Sequence, residues 1–310
     1  NKFNISALRD AFGNMTLSNL LIEELDLSRI NFNGNTLTLQ CNRLNKIVGS
    51  ETFNGNLLLL PKNCRLTEFT LEGILNMQGN FECKDYFYVK RFIMPFVNVA
   101  GDITIALNTG SVDTGAEIEF PKLQEIGGAL TLGKNINANK IDFPLLKRIL
   151  GSCSVTTSSL KDDIEFSNLE SIGTEAGSTQ AEFNINKTNI LCPKLKTIHG
   201  GVNIITDVAM FGMTANNISY PNVESISGDL SITCPFSAFG PNGIVSIDFS
   251  GLKSVKSINI SGQGDINNFS TFKYLFENNI LTEASQWDVT DCGYNPTYQD
   301  MKDGKYKPAE

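Results

Sequence analysis

Histidine is almost missing from this chain: among 310 residues His199 is the only one. A multi-histidine metal centre and the H-E-x-x-H arrangement are therefore excluded, and at most one histidine-based triad can be built. Cysteines stand at Cys41, Cys64, Cys83, Cys153, Cys192, Cys234 and Cys292, but no two form C-x-x-C. No zinc site is expected, and no other metal or cofactor. Their odd number does not close into a full disulfide framework, although one or two bridges stay open. Charge is sparse, 19% of residues, and the balance is acidic at −8. Such a chain lacks the basic patch that phosphate backbones demand, so no nucleic-acid partner is expected. The same deficit disfavours adsorption to anionic lipid surfaces. No apolar run reaches eighteen residues, so no membrane span is expected either.

What is abundant is repetition. A motif runs apolar-x-aromatic-Pro-x-Leu-x-x-Ile-x-Gly-x-Leu-x-Ile, clearest from Ile118 to Leu132 as Ile-Glu-Phe-Pro-Lys-Leu-Gln-Glu-Ile-Gly-Gly-Ala-Leu-Thr-Leu. Further copies begin at Ile141, Ile164, Ile190, Ile218 and Ile247, separated in turn by 23, 23, 26, 28 and 29 residues. Periods of this size belong to solenoids, in which each repeat packs on its neighbours. Upstream the motif thins. Ile93, Phe96, Val99 and Gly101 lead into Ile103-Thr-Ile105, while Leu39, Cys41, Leu44, Ile47 and Gly49 fit its first half.

Each copy predicts two short strands separated by a corner. Ile118 and Phe120 flank Glu119, which puts both apolar side chains on one face of a strand. Pro121 has no N–H to donate and ends the ladder. Leu123 and Ile126 fill the corner, and Gly127-Gly128 allows the bend before Leu130-Thr-Leu132. Stacking then yields columns: Phe120, Phe143, Phe166, Cys192, Tyr220 and Phe249 in one, and Leu130, Cys153, Phe183, Val202, Leu230 and Ile258 in another. Cys153 and Cys192 are read there as small hydrophobes. The expected fold is mainly β, a leucine-rich-repeat or right-handed β-solenoid of stacked two-strand coils with short capping helices. The expected organisation is one repeat domain over 1–310, with an N-terminal cap at 1–36, coils at 37–270, and a C-terminal cap and tail at 271–310. A capped helical turn is predicted at 6–13, a short amphipathic helix at 270–278, and a cap with a tail, not a further coil, from 287 onward.

The Ile-x-Phe-Pro-x-Leu-x-x-Ile-Gly-Gly motif resembles the BspA-type leucine-rich repeats of bacterial surface proteins. It is also similar to the receptor L-domain repeat of the insulin-receptor family. Residues 118–260 carry the match well and residues 20–117 loosely. The regular cysteines of receptor L domains are absent, which favours the bacterial likeness. The tail from Cys292 to Lys305 is similar to C-termini of secreted or lipid-anchored proteins of Gram-negative anaerobes. The resemblance implies a noncatalytic adhesion or binding module, at the outward face of the outer membrane or secreted. A lipid anchor upstream of Asn1 is one expected route to that surface. The implied partner is a host or environmental protein or glycan. No binding residue is implied, because such repeats specify architecture and not partner.

Two outward columns are the candidate sites. Between the strand-one hydrophobics lie Glu119, Asp142 and Glu165, which stacking would place about 4.8 Å apart. Such a strip fits a solvated edge eased by Lys122, Lys147 or Lys161, or else binds calcium or a basic partner. It also raises an enzymatic alternative, because retaining glycosidases hold two carboxyls about 5–5.5 Å apart. Nothing in the sequence makes one of these carboxyls an acid and its neighbour a nucleophile. The strand-two column offers Thr104, Thr131, Asn184, Asn203, Ser231 and Asn259, with Ser154 between, as small polar groups able to hydrogen-bond a glycan or extended peptide. The longer loops at 173–181, 206–217 and 234–243 are further candidates, since loops on a rigid scaffold often carry recognition. His199 falls in a slot filled elsewhere by Gly127, Leu150, Gly173, Ser227 and Lys256, which reads as an exposed turn.

Overall fold

A computed structural model describes the chain except residues 1, 4, 6, 20, 41–42, 61–63, 86, 108–115, 134–137, 157–163, 176–180, 187–189, 206–215, 235–243, 265 and 309–310. Strand far outweighs helix, 46% against 7%, and parallel strands stack as a β-solenoid. The core is therefore made by the inward side chains of successive coils. Two compact units make up the chain, residues 1–167 and residues 168–310.

In the first unit the strands form three parallel sheets, the corner sheet beginning only at Thr52–Phe53. The first-strand sheet contains Lys46–Val48, Cys64–Glu72, Phe87–Ile93, Ala116–Glu119, Ala138–Asp142 and Ile164–Glu165. The corner sheet runs Thr52–Phe53, Asn76–Met77, Asn98–Val99, Glu125–Ile126 and Arg148–Ile149. The second-strand sheet runs Met15–Ser18, Thr36–Gln40, Asn56–Leu59, Phe81–Asp85, Ile103–Leu107, Leu130–Leu132 and Cys153–Val155. The expected two-strand coil thus gains a third strand. The corner residues Glu125 and Ile126 pair with Asn98 and Val99 on one side and Arg148 and Ile149 on the other. Two residues suffice for a rung when the same corner recurs in each coil, because the neighbours above and below take the backbone hydrogen bonds.

The predicted aromatic column forms. Phe120 stacks on Phe143 at 4.7 Å between ring centroids, and Phe143 on Phe166 at 5.1 Å. All three are fully buried, as are Leu130 and Cys153 in the second column. Burial in an apolar stack pushes the Cys153 thiol up to about 12 and the Cys83 thiol up as well. Both are therefore packing groups, not thiolate nucleophiles.

Upstream, two registers differ from expectation. The core residue beside the 93–105 coil is Phe92, which pairs with Ile118; Ile93 pairs with Glu119 and lies half-buried on the outward side. Ile47 pairs with Leu71 on the first-strand sheet, whereas Phe53 pairs with Met77 in the corner sheet. Ile47 therefore fills the slot of Phe120, and Phe53 that of Ile126. Without Phe-Pro to mark the turn, apolar spacing alone left that register ambiguous.

A polar ladder holds these upstream coils together. The Asn14 side-chain oxygen accepts from Thr36 N–H at 2.9 Å, and Asn56 Oδ1 accepts from Asn80 N–H at 2.8 Å. Asn80 Oδ1 accepts from Asp102 N–H at 2.8 Å, and Asp102 Oδ1 from Ala129 N–H at 2.7 Å. Each link satisfies a backbone donor where the chain turns into the second-strand sheet. The preceding glycines are required by close approach: a Cβ at Gly101 would meet Asn80 Oδ1 at 2.1 Å, and one at Gly128 would meet Asp102 Oδ1 at 2.1 Å.

In the second unit, Ser171–Ile172, Thr197–Ile198 and Ser225–Ile226 make the corner sheet. Ala181–Asn186, Gly200–Ile205, Asp229–Cys234 and Ser257–Gly264 pair in that order in the second-strand sheet. Asn216–Ser219 and Ile244–Asp248 pair on the first-strand side. Tyr220 packs on Phe249 at 5.7 Å, and Cys192 is buried as expected.

The C-terminal closure is a short 3₁₀ turn, Ser270–Phe272, running into helix α1, Lys273–Glu277. Phe272 packs on Phe249 at 6.3 Å, and Thr271 Oγ1 accepts from Phe249 N–H at 2.6 Å. The turn thereby supplies both the next ring and the next acceptor that another coil would have given. Contrary to expectation, Trp287–Cys292 is a further strand, paired in parallel with Ser257–Gly264. Its short polar residues hid it, since only Trp287 and Val289 face inward. Trp287 is ringed edge-on by Phe269, Phe272 and Phe276, and its Nε1–H donates to Pro296 O at 2.9 Å. Helix α2, Tyr298–Lys302, follows. At the N-terminus the predicted helical turn is not found among the described residues; Asp10 instead bridges Asn31, and Met15–Ser18 is a strand.

Candidate functional site

The carboxylate column forms on the first-strand sheet of the first unit. Glu119 pairs in register with Asp142, and Asp142 with Glu165. The cations that meet it are Arg91 and Lys140, not Lys122 or Lys147; Lys161 lies outside the described residues. Arg91 grips Glu119 with two hydrogen bonds, Nε to Oε1 at 3.1 Å and Nη2 to Oε2 at 3.2 Å. Lys140 Nζ donates to Asp142 Oδ2 at 2.9 Å, and Ser167 Oγ donates to Glu165 Oε1 at 2.9 Å. The Arg91 guanidinium and the Lys140 ammonium are held above their ordinary values, first by these hydrogen bonds and then by the attached charge.

Arg91 and Lys140 come from strands of this same sheet, each one position before a buried core residue, Phe92 and Ile141. In register the order across that sheet is Glu68, Arg91, Glu117, Lys140, so sign alternates from coil to coil. An alternating column turns like-charge repulsion between rungs into attraction. The signal was present in the sequence as a charged residue one place before the inward Phe69, Phe92, Ile118 and Ile141, but only the register shows that the signs alternate.

The second-strand column forms in each unit separately. In the first unit Glu82, Thr104, Thr131 and Ser154 are successive partners. In the second unit Asn184, Asn203, Ser231, Asn259 and Asp288 are successive partners. Asn259 is exposed, and Thr104, Thr131, Asn184, Asn203 and Ser231 are half-exposed. Asp288 extends the row through the unexpected last strand. Glu119, Asp142 and Glu165 belong to a different sheet from Thr104 and Thr131, so the structure does not bring those two candidate groups into one site.

Gly201 lies two residues before Asn203 in the same strand, and a Cβ there would meet nothing nearer than Asp229 O at 3.4 Å. The face offers amide, hydroxyl and carboxyl groups on a parallel sheet. Such groups donate and accept hydrogen bonds without imposing a shape.

His199 is half-buried in a turn; its N–H donates to Ile172 O at 2.8 Å, and its carbonyl accepts from Ala181. Among the described residues no three His, Cys, Asp or Glu side chains are grouped to hold a metal ion, and no helix is long and apolar enough to cross a membrane. The longer loops singled out in the sequence lie mostly outside the described residues, at 176–180, 206–215 and 235–243. No protein-family model, curated protein or solved structure matches this chain.

Proposed function

We propose that this chain is a noncatalytic binding module of the BspA-like leucine-rich-repeat type, displayed at a bacterial cell surface or secreted, that recognises a protein or glycan. The observation that carries the reading is the in-register row of small polar side chains on the second-strand sheet, above all Asn184, Asn203, Ser231 and Asn259. An in-register row of donors and acceptors suits an extended ligand that lies along the stack. The Thr104 and Thr131 rungs of the first unit offer the same chemistry.

The second reading is a carbohydrate-active enzyme that uses Glu119, Asp142 and Glu165. It is favoured by the adjacency of these carboxyls on neighbouring strands. Against it, Glu119 and Asp142 are each engaged by a cation on the same sheet, whereas an acid and a nucleophile need unlike surroundings.

An array of glycans and host-matrix proteins, run beside hydrolysis assays, separates the two. The binding reading expects a retained ligand, no turnover, and loss of binding in Asn203→Arg or Thr131→Arg with the fold intact. Turnover that disappears in Glu119→Gln or Asp142→Asn would overturn it.

A further inference from the structure

The second-strand sheet of the second unit repeats its chemistry at every rung. Asn184, Asn203, Ser231, Asn259 and Asp288 are successive register partners, so five polar groups stand in one row. Neighbours in such a row are about 4.8 Å apart. The spacing selects among extended ligands that lie along the stack. A peptide strand presents side chains on one face only about every 6.7 Å, two residues apart, and falls out of step with these rungs at once. A polysaccharide of equatorially 1,4-linked pyranose rings advances by close to one rung per sugar. Each ring then meets one polar group, and the five rungs make five subsites.

Charge narrows the sugar. The five strands hold four carboxylates and neither Lys nor Arg. Lys256, one residue before the fourth strand, lies 3.5 Å from Asp229 in an exposed pair, and such pairs contribute little. Glu182, Asp229 and Asp288 are exposed and fall on the first, third and fifth rungs. Gly201 and Ser257 take the positions of Glu182 and Asp229 on the second and fourth.

In an extended 1,4-linked chain successive rings turn over, so substituents at one ring carbon return to the same edge at every second sugar. Carboxylates on alternate rungs complement amino groups carried there, and complementary placement of charge sets specificity. We infer that this row binds a linear polysaccharide of equatorially 1,4-linked amino sugars, one sugar to each rung, with the protonated amines of alternate sugars against Glu182, Asp229 and Asp288. This ligand class presupposes that the row is the binding surface proposed above.

Isothermal titration of the full chain with β-1,4-linked glucosamine oligomers of two to six sugars tests this, beside the N-acetylated and the glucose series of equal lengths. Affinity should climb with each sugar up to five and then level off, and both uncharged series should bind at least about tenfold more weakly. Glu182→Gln together with Asp288→Asn should weaken the glucosamine pentamer about tenfold, and Asn203→Arg should abolish its binding. These side chains are exposed or half-exposed, so Tm should not change. Equal affinity for the N-acetylated series, or affinity indifferent to length, would overturn the inference. Glucosamine oligomers that fail to bind, while another ligand is lost in Asn203→Arg, would overturn the amino-sugar assignment and leave the row a binding surface. An Asn203→Arg chain that keeps every ligand would overturn both.

Discussion

Phe143 sits between two parallel rings, so its loss opens a void bounded by Phe120 and Phe166 that neither ring can fill without leaving its own coil. Phe143→Ala should lower stability by about 3–5 kcal/mol, read by chemical denaturation. Asn80 acts through one oxygen. Removing it strands the Asp102 N–H at a tight corner, so Asn80→Ala should cost about 1–3 kcal/mol in the same assay, with Asn80→Asp retaining most of the stability because the acceptor remains. Gly128 tests the backbone contact instead. The added methyl of Gly128→Ala would meet Gly101 C at 2.8 Å as well as the Asp102 carboxylate. Backbone cannot step aside, and a loss of about 1–3 kcal/mol is expected from overpacking.

At the scale of elements, the C-terminal closure is built from short pieces held by specific caps. Helix α2 spans Tyr298–Lys302, too short to persist alone. Its start is fixed by Thr297 and Asp300: Asp300 N–H donates to Thr297 Oγ1 at 3.1 Å, and Thr297 N–H donates to Asp300 Oδ2 at 3.1 Å. The Thr297 hydroxyl, then Lys305, then the Thr297 N–H stabilise the Asp300 carboxylate and lower it from 3.8 to about 2. A carboxyl depressed on folding contributes its stabilisation fully above its unfolded value and loses it as pH falls through its folded value. The cap should therefore hold above about pH 4 and loosen toward pH 2. Hydrogen exchange of the Tyr298–Lys302 amides should show this, and Asp300→Asn should remove the pH dependence over that interval. Thr271→Val is the companion change: it deprives Phe249 N–H of its acceptor and should destabilise the closure without disturbing the upstream sheets.

At the scale of the whole molecule, the repeat makes stability and recognition separate properties. Phe, Leu and Ile recur at inward positions because each coil must bury them against the next. The outward positions between them are free to differ, and they range from Glu119 and Asp142 on one sheet to Thr131 on another. A ligand-binding change such as Asn203→Arg should therefore leave Tm within about 0.5 kcal/mol of equivalent stability, as surface substitutions usually do. A large fall in Tm for this variant would show that the row is structural.

The stack, its aromatic column and the buried Cys153 and Cys192 could be read directly, because stacking repeats one packing problem and the sequence repeats one answer. The outward columns were also legible as residue types, since strand alternation assigns each residue to a face. What the repeat could not reveal is whatever depends on register between coils that lack Phe-Pro. Ile47, read as a corner residue, lies instead on the first-strand sheet, and Phe53 takes the corner slot, because either residue satisfies an apolar position. The alternation of Arg91 and Lys140 with Glu68 and Glu117, the third strand at the corner and the strand at Trp287–Cys292 were likewise settled only in three dimensions. Each rests on hydrogen bonds or charges supplied by residues some 22–30 positions away. Composition and periodicity fix what a coil must bury, whereas its hydrogen-bonding partners exist only once the neighbouring coil is in place.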